Sequence, residues 1–511
     1  MNLMDCLKRS VARLPSVEAI IDDEVRWTYR ELLKYVENVA GHMRAHGVQN
    51  GDHVLVVLKN RRENILTYWA CQRLGAIYTP VNFRMAADEL RYCAEDSSSR
   101  LIISEADLEP TVRQAASTLN PSPSIIWSSG LLSGSDSFNG WLEPPPTPVP
   151  VVEIPEDQTA IMLYTSGTTG RPKGVPRSHR NEISAAVAHI VQNRYQMGER
   201  SVGVMPFYHT MGMRSLVSAA LLNGVLALLP DYETERLARL IPAERISALY
   251  LVPTLFYDLV NWSGLSHLDL RSLKKIGYAG AAMTSTLTEH CFERLEPEVF
   301  VNHFGSSEVY TFTICDWLDR KPTCAGKAGF HSEIRVVDVD EGQSEAVVPV
   351  GTPGEVIVRL TSPEAFQGYW NRPEATAKAL REGWYHTGDV GYWDDDGDLW
   401  VYGRVDDMLI SGGENIHPLE VEDALSKHPG VAEVAVVGKP DDRWGEMVTA
   451  FVVPRMAGLT AEELDRYCIA NTTLARFKRP RQYVFVREIP KSPVGKILRR
   501  VLREGQFDPL P

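Results

Sequence analysis

The sequence predicts an α/β protein with a large N-terminal domain, built from α/β subdomains and a β-rich subdomain, and a small α+β C-terminal domain. Three observations carry this reading. From Asp5 to about Leu108, helical spacings of apolar residues alternate with short apolar runs, the pattern of parallel strands joined by helices. After Gly326 the runs become short and alternating, as in Ile334–Val337 and Glu355–Arg359, which is strand patterning without helices between. Near Gly403–Asp407 the pattern restarts and runs for about the last hundred residues, within the usual size of one domain.

Each element follows from local pattern. Tyr29–Ala45 and Arg62–Leu74 have helical period, and Asp52–Leu58 and Gly75–Pro80 read as buried strands. Ser122–Ile154 is rich in Ser, Gly and Pro and is expected to be a long surface connection. Strands resume at Ala160–Tyr164, Val225–Leu229 and Ala248–Val252. Asp394–Asp398 is an acidic turn between strands. An EF-hand would need flanking helices and a glutamate closing the loop, and neither is present. In the last part, Leu419–Ser426 and Leu459–Thr473 are helical, and Val431–Val437 and Met447–Val453 are strands. There is no internal repeat. The expected boundaries are 1–403, a hinge at 404–407, and 408–511.

Composition narrows the class. The 511 residues are 44% hydrophobic and 23% charged, ordinary for a globular enzyme. A net charge of -13 and a pI near 5.6 argue against a nucleic-acid partner. No apolar run approaches a membrane span, Met1–Arg13 lacks an apolar signal region, and the end Phe507–Pro511 carries no targeting address. The seven scattered cysteines form no CxxC or Cys/His cluster and are expected to be reduced and buried. The cytoplasm is the expected compartment, with no membrane partner; a homodimer stays open.

The strongest motif is Tyr164-Thr-Ser-Gly-Thr-Thr-Gly-Arg-Pro-Lys-Gly174, directly after an apolar strand. Gly167 and Gly170 let backbone N–H groups approach an anion. Thr165, Ser166, Thr168 and Thr169 add hydroxyl donors, and Lys173 adds positive charge. That combination suits a triphosphate. It is not a Walker A loop, which requires GxxxxGK[ST].

This segment resembles the phosphate loop of the acyl-adenylate-forming enzymes: acyl-CoA synthetases, luciferases and peptide-synthetase adenylation domains. The family's other motifs follow in order. Phe304-Gly-Ser-Ser-Glu308 resembles the motif whose aromatic lies near adenine and whose glutamate holds Mg²⁺; Ser307 stands where threonine is usual. Asp389 in Tyr385-His-Thr-Gly-Asp389 matches the ribose-binding aspartate. Gly403-Arg-Val-Asp-Asp-Met408 matches the hinge motif, with Arg404 reaching the ribose and Asp406 as pivot. Lys496 matches the C-terminal lysine that stabilises charge on the α-phosphate during adenylation.

The resemblance spans nearly the whole chain and implies stacked α/β subdomains with a mobile C-terminal lid. It implies ATP, Mg²⁺ (held by Glu308 and Thr165) and coenzyme A, with a small carboxylic acid as substrate. Ile410–Pro418, Asp442–Gly445 and Arg476–Pro480 look especially like the bacterial aryl-CoA ligases, 4-chlorobenzoate–CoA ligases among them. In that group Trp444, Phe477 and Arg479 would contact the CoA nucleotide, and Gly412 and Gly413 would line the pantetheine tunnel. The absence of a carrier domain after Pro511 favours free CoA. By the same resemblance His209 lies beside the acid pocket as a catalytic-site gate, and Thr210, Met211, Ala279, Gly280, His303, Val309 and Tyr310 line it. An imidazole at His303 suits a ring heteroatom or hydroxyl, so a hydroxybenzoate or furoate is the expected kind of acid. A medium-chain fatty acyl-CoA synthetase, a luciferase-like oxygenase and an inactive adenylate-binding module are the competing readings.

Overall fold

The computed structural model describes residues 1–128, 137–165, 171–339, 341–411, 414–441, 443–471, 474–492 and 495–510. Among these residues four sheets form. The first runs, in spatial order, Ser124–Ser128, Leu101–Glu105, His53–Val57, Ile77–Pro80, Thr159–Thr165 and Lys173–Ser178; only the last pair is antiparallel. The second has nine strands, with a parallel centre from Val299–Phe304 through Lys275–Ala279, Ala248–Leu251, Arg200–Gly203 and Val225–Leu228 to Glu18–Asp22. Their near-continuous apolar runs are what strands covered on both faces require.

The two sheets share one core. Tyr29–Ala45 and Arg62–Leu74 pack Leu32, Val36, Ile65 and Trp69 with Val54 and Ile103 from one sheet and Leu226 and Leu228 from the other. This is the stacked α/β arrangement. The alternation across the first hundred residues and the helices Tyr29–Ala45 and Arg62–Leu74 stand as expected.

One expectation needs correction. Ser122–Ile154 is not simply a surface connection. Ser124–Ser128 is the edge strand of the first sheet, and Phe138 and Trp141 are buried in the shared core. Apolar content in a Pro/Gly-rich stretch, not its turn residues, decides the matter here. The N-terminal strands Glu18–Asp22 and Val25–Thr28 belong to the second sheet, through the pairing of Ile20 with Leu226.

The β-rich subdomain is antiparallel: Ile334–Val337, Gly354–Arg359, Trp384–Trp393 and Leu399–Arg404. In its acidic turn the carboxylates of Asp394, Asp396 and Asp398 converge, and a lysine ammonium sits among them. Lys321 Nζ lies 2.7, 2.8 and 2.6 Å from Asp394, Asp396 and Asp398, and Lys327 Nζ lies 3.1 Å from Asp398, so two ammoniums offset part of the three carboxylates' charge. The small domain carries its own sheet, built on the long hairpin Val431–Asp441 with Gly445–Pro454, and its own core around Val421, Val436 and Leu464. Its helix Ala461–Ala470 is shorter than Leu459–Thr473 at both ends.

No described helix is long and apolar enough to cross a membrane.

Candidate active site

In open α/β sheets, ligands bind beyond the carboxyl ends of parallel strands. Here those ends carry the singled-out residues. The strand Thr159–Thr165 ends at Thr165, whose cross-strand partner is Lys173. Lys275–Ala279 ends at Ala279 and Gly280, and Val299–Phe304 at His303 and Phe304. Past Arg200–Gly203, His209 takes the N-cap position of the helix Thr210–Leu221. The loop residues Ser166, Gly167, Thr168, Thr169 and Gly170, and Gly412 and Gly413, lie outside the described residues.

Glu308 is 8% exposed, and Tyr369 Oη donates to its Oε1 at 2.8 Å. The ammonium of Lys173 lies 4.4 Å from the centre of the Tyr369 ring, within range of a cation–π attraction. One tyrosine therefore links the phosphate-loop lysine to the candidate metal-binding carboxylate. The backbone beneath Glu308 is pinned from below. Arg177 is fully buried, and its Nη1 donates to Ser307 O at 2.7 Å while its Nε pairs with Glu182 at 2.5 Å. Arg214 pairs with the other oxygen of Glu182. Burial pushes the Glu182 carboxyl up, but the Arg214 and Arg177 guanidiniums outweigh it and hold it below its ordinary value.

Asp389 and Arg404 face each other across paired strands, with Arg404 Nη1 donating to Asp389 Oδ1 at 3.0 Å. Gly388 is required here: its φ is +71°, and a Cβ would lie 2.7 Å from Arg404 Nη2. Burial raises the Asp389 carboxyl above its ordinary value, against the opposing pull of Arg404 and Lys496.

Lys496 reaches this same place from the small domain. Its side chain is exposed to solvent, yet enough protein lies around it for desolvation to lower its ammonium below the lysine range. Arg404 adds to that shift, and Asp389 and Glu308 oppose it. Its charge also acts on His209, whose ring burial drives down to about 3, so the imidazole is neutral at physiological pH. The turn before Lys496 docks on the large domain. Gly495 has φ +77°, and a Cβ on it would sit 2.4 Å from Thr254 Oγ1. Two further contacts hold the domains in this arrangement. Asp423 accepts from Ser285 N and Oγ at 3.2 and 3.0 Å, and Tyr402 stacks on His417 with centroids 4.5 Å apart. Asp406 lies in the 3₁₀ turn Val405–Asp407 between the domains.

The candidate acid pocket has an apolar wall: Met205, Met211, Tyr250, Val252 and Ala279 pack as one cluster. His303 and Tyr310 are buried against Tyr250, whereas Val309 packs in a neighbouring core with Phe312 and Tyr385. The nucleotide candidate Phe304 meets Phe312 edge-on at 5.0 Å.

The CoA candidates stand apart from this cluster, on the small domain. Phe477 is 44% exposed. Trp444 is half-buried with the Arg481 guanidinium 4.4 Å over its ring, and Arg479 is paired with Asp465. No described contact joins Trp444, Phe477 and Arg479 to each other.

Sequence reasoning missed Tyr369, Arg177, Glu182, His189 and Tyr250. Tyr369 lies in no motif. Arg177 and Glu182 read as ordinary surface charges, since a single sequence does not reveal that each neutralises the other.

Known proteins supply the remaining comparison. The chain matches the family described as AMP-binding enzyme over residues 7–370, and the AMP-binding enzyme C-terminal domain over residues 420–496. It is 34% identical over 505 residues to a 4-chlorobenzoate–CoA ligase of an Arthrobacter species, covering 97% of this chain and 93% of that protein. It is 32% identical over 512 residues to a long-chain-fatty-acid–CoA ligase of Mycobacterium tuberculosis, covering 98% of each. Among solved structures, an anthranilate CoA ligase in complex with anthranoyl-AMP matches with a TM-score of 0.91 at 27% identity, covering 99% of this chain and 97% of that one.

Proposed function

Because the chain belongs to the AMP-binding enzyme family and is an AMP-forming acyl-CoA ligase working through an acyl adenylate, we propose that its acid is a small aromatic or heteroaromatic one. The observation that carries this is the wall of Met205, Met211, Tyr250, Val252 and Ala279 closed by the buried rings of His303 and Tyr310. A planar ring suits such a slot. Relatives named for 4-chlorobenzoate, ferulate and indoleacetate are consistent with it, while fatty-acid ligases at similar identity keep the aliphatic alternative in view.

The residues take the following parts. The substrate carboxylate attacks the α-phosphorus of ATP, a C–O–P link forms, and the bond to the β-phosphate oxygen breaks to release pyrophosphate. Thr165, Lys173 and the loop between them hold the phosphates. Lys496 faces the negative charge that grows on the α-phosphate oxygens, where a fixed cation is worth most. Asp389 accepts from ribose hydroxyls, with Arg404 fixing its carboxylate. The fit for Mg²⁺ is good: Glu308 is buried and oriented by Tyr369 through Oε1 alone, and Thr165 would add an oxygen from the end of its strand. Mg²⁺ there would neutralise phosphate charge.

The second half needs a different set of residues. The small domain turns about Asp406 and withdraws Lys496. The CoA thiolate then attacks the acyl carbonyl, a C–S bond forms, and AMP leaves with the oxygen. Trp444, Phe477 and Arg479 would bind the CoA nucleotide, with Gly412 and Gly413 along the thiol's path. Exchanging residues by a domain motion lets one site serve two steps. The seven cysteines are free and buried, which fits the cytoplasm proposed as its compartment.

The test is CoA-dependent AMP release across a panel of aromatic and aliphatic acids. Best turnover on a small aryl or heteroaryl acid supports the proposal; best turnover on octanoate overturns it.

A further inference from the structure

We infer that the inner end of the acid pocket binds a neutral hydrogen-bonding group on the ring of its acid, with His189 and His303 as the residues that read it. This rests on the aromatic-acid reading above and narrows it to one chemical class.

His189 comes from the helix His179–Gln192 and is fully buried; His303 comes from the strand Val299–Phe304 and is 2% exposed. Their rings lie 6.0 Å apart and close to parallel. Tyr310 Oη sits 2.9 Å from His189 Nδ1 and donates to Tyr250 Oη at 3.1 Å. His303 Nε2 lies 2.8 Å from Thr311 Oγ1. Each imidazole thus has one nitrogen engaged. The other nitrogens, His189 Nε2 and His303 Nδ1, are buried without a hydrogen-bond partner among the described residues, as is Thr210 Oγ1.

Buried polar atoms are nearly always paired, so two unpaired imidazole nitrogens on neighbouring rings call for an explanation. Position supplies it. Tyr250 belongs both to this polar cluster and to the apolar wall with Met211 and Ala279. The unpaired nitrogens therefore belong to rings packed directly against Tyr250 of the wall that would face the acid's ring.

The chemistry of the bordering groups selects the substituent. Burial drives His303 down to about 3 and His189 well below its ordinary value, with Arg214 acting the same way on both and His303 adding to it at His189. Two neutral imidazoles offer an N–H or a lone pair, which suits a hydroxyl, an amino group or a ring nitrogen. They offer no positive charge to a second carboxylate. The nearby Arg214 gives both Nη atoms to Glu182, which balances part of its charge, and its guanidinium lies 5.1 Å from the centre of the Tyr310 ring. An unsubstituted ring or an alkyl chain would leave both nitrogens unpaired in the complex as well, and such sites reject a ligand lacking the polar group.

The experiment measures kcat/KM for benzoate, the hydroxybenzoate and aminobenzoate isomers, the pyridinecarboxylates and octanoate, on the wild type and on His303→Leu and His189→Phe. The ratio between two acids on one protein is independent of how much of a variant folds. Expected is a preference of about 10- to 100-fold for one polar-substituted acid over benzoate in the wild type, falling to about threefold or less in at least one variant. Turnover of benzoate as good as of every polar acid, or a ratio unchanged in both variants, overturns this inference and leaves the aromatic reading standing. Octanoate outrunning every aromatic acid overturns both.

Discussion

The phenol of Tyr369 donates a 2.8 Å hydrogen bond to Glu308 Oε1, fixing a buried carboxylate that faces the phosphate-loop lysine through the same ring. A hydrogen bond to a charged acceptor contributes about 1.5–3 kcal/mol. Tyr369→Phe keeps the ring under Lys173 and removes only the donor. Pyrophosphate release should slow by about tenfold or more, with a higher Mg²⁺ concentration needed for half-maximal rate. A titration of rate against Mg²⁺ that superposes on the wild type would mean the tyrosine does not hold this carboxylate.

Lys496 is the one cation that the small domain brings to Asp389, Glu308 and His209 among the described residues. Lys496→Ala should reduce adenylate formation by about a hundredfold or more, while CoA thioester formation from supplied acyl-AMP stays within a few-fold. Equal loss of both steps would count against the domain exchange. The lowered ammonium also sets a pH limit. The charged form is active, so adenylation falls as pH rises through a value below the ordinary lysine range. In Lys496→Arg that alkaline limb should vanish.

The Arg177–Glu182–Arg214 group is fully buried. Arg177→Met leaves the carboxylate half-neutralised and frees the Ser307 carbonyl. Breaking a buried pair from one side costs about 3–5 kcal/mol, so the melting temperature should drop by several degrees. A melting temperature equal to the wild type's would show that the charge is compensated elsewhere.

Six histidines are held below their ordinary value of 6.5 by burial: His53, His179 and His417 to about 4, His209 and His303 to about 3, and His189 well below it, with Lys478 also acting on His417, Lys496 on His209, and Arg214 on His303. Below about pH 6.5 the unfolded chain binds a proton that the folded ring refuses. Stability is therefore full above that pH and is lost as pH falls, until the folded rings protonate near 4. Each ring costs about 2 kcal/mol at pH 5 relative to neutrality. Thermal unfolding at a series of pH values should display a steep decline between pH 7 and 5, and His53→Gln should flatten it. A flat profile over that range would contradict the neutral-histidine reading.

Much of the site was legible because the chemistry lies in contiguous motifs. Thr165 and Lys173 fall opposite each other at the end of a hairpin, and Asp389 and Arg404 on paired strands, as short sequence patterns can encode. The change of pattern near Gly403 set the expected boundary there, and the strands from Leu409 onward pair in a sheet of their own. What stayed hidden depends on partners far along the chain. Glu18–Asp22 finds its place only by pairing with Val225–Leu228, about two hundred residues on. Arg177 looks like any strand-end arginine until Glu182 and the Ser307 carbonyl close around it. His189 reads as one more polar residue on a helix, and its meaning comes from Tyr310 and His303. Ser122–Ile154 misled for the opposite reason: its turn residues outnumber the few aromatics, Phe138 and Trp141, that anchor it in the core.

The most direct test of the central claim is acid-dependent exchange of labelled pyrophosphate into ATP in the absence of CoA. A chain that makes an acyl adenylate at the Lys173–Glu308–Lys496 site should catalyse exchange with a small aromatic acid, and lose it in Lys496→Ala. Acid-dependent formation of ADP and phosphate, or no exchange with any acid, would contradict the account.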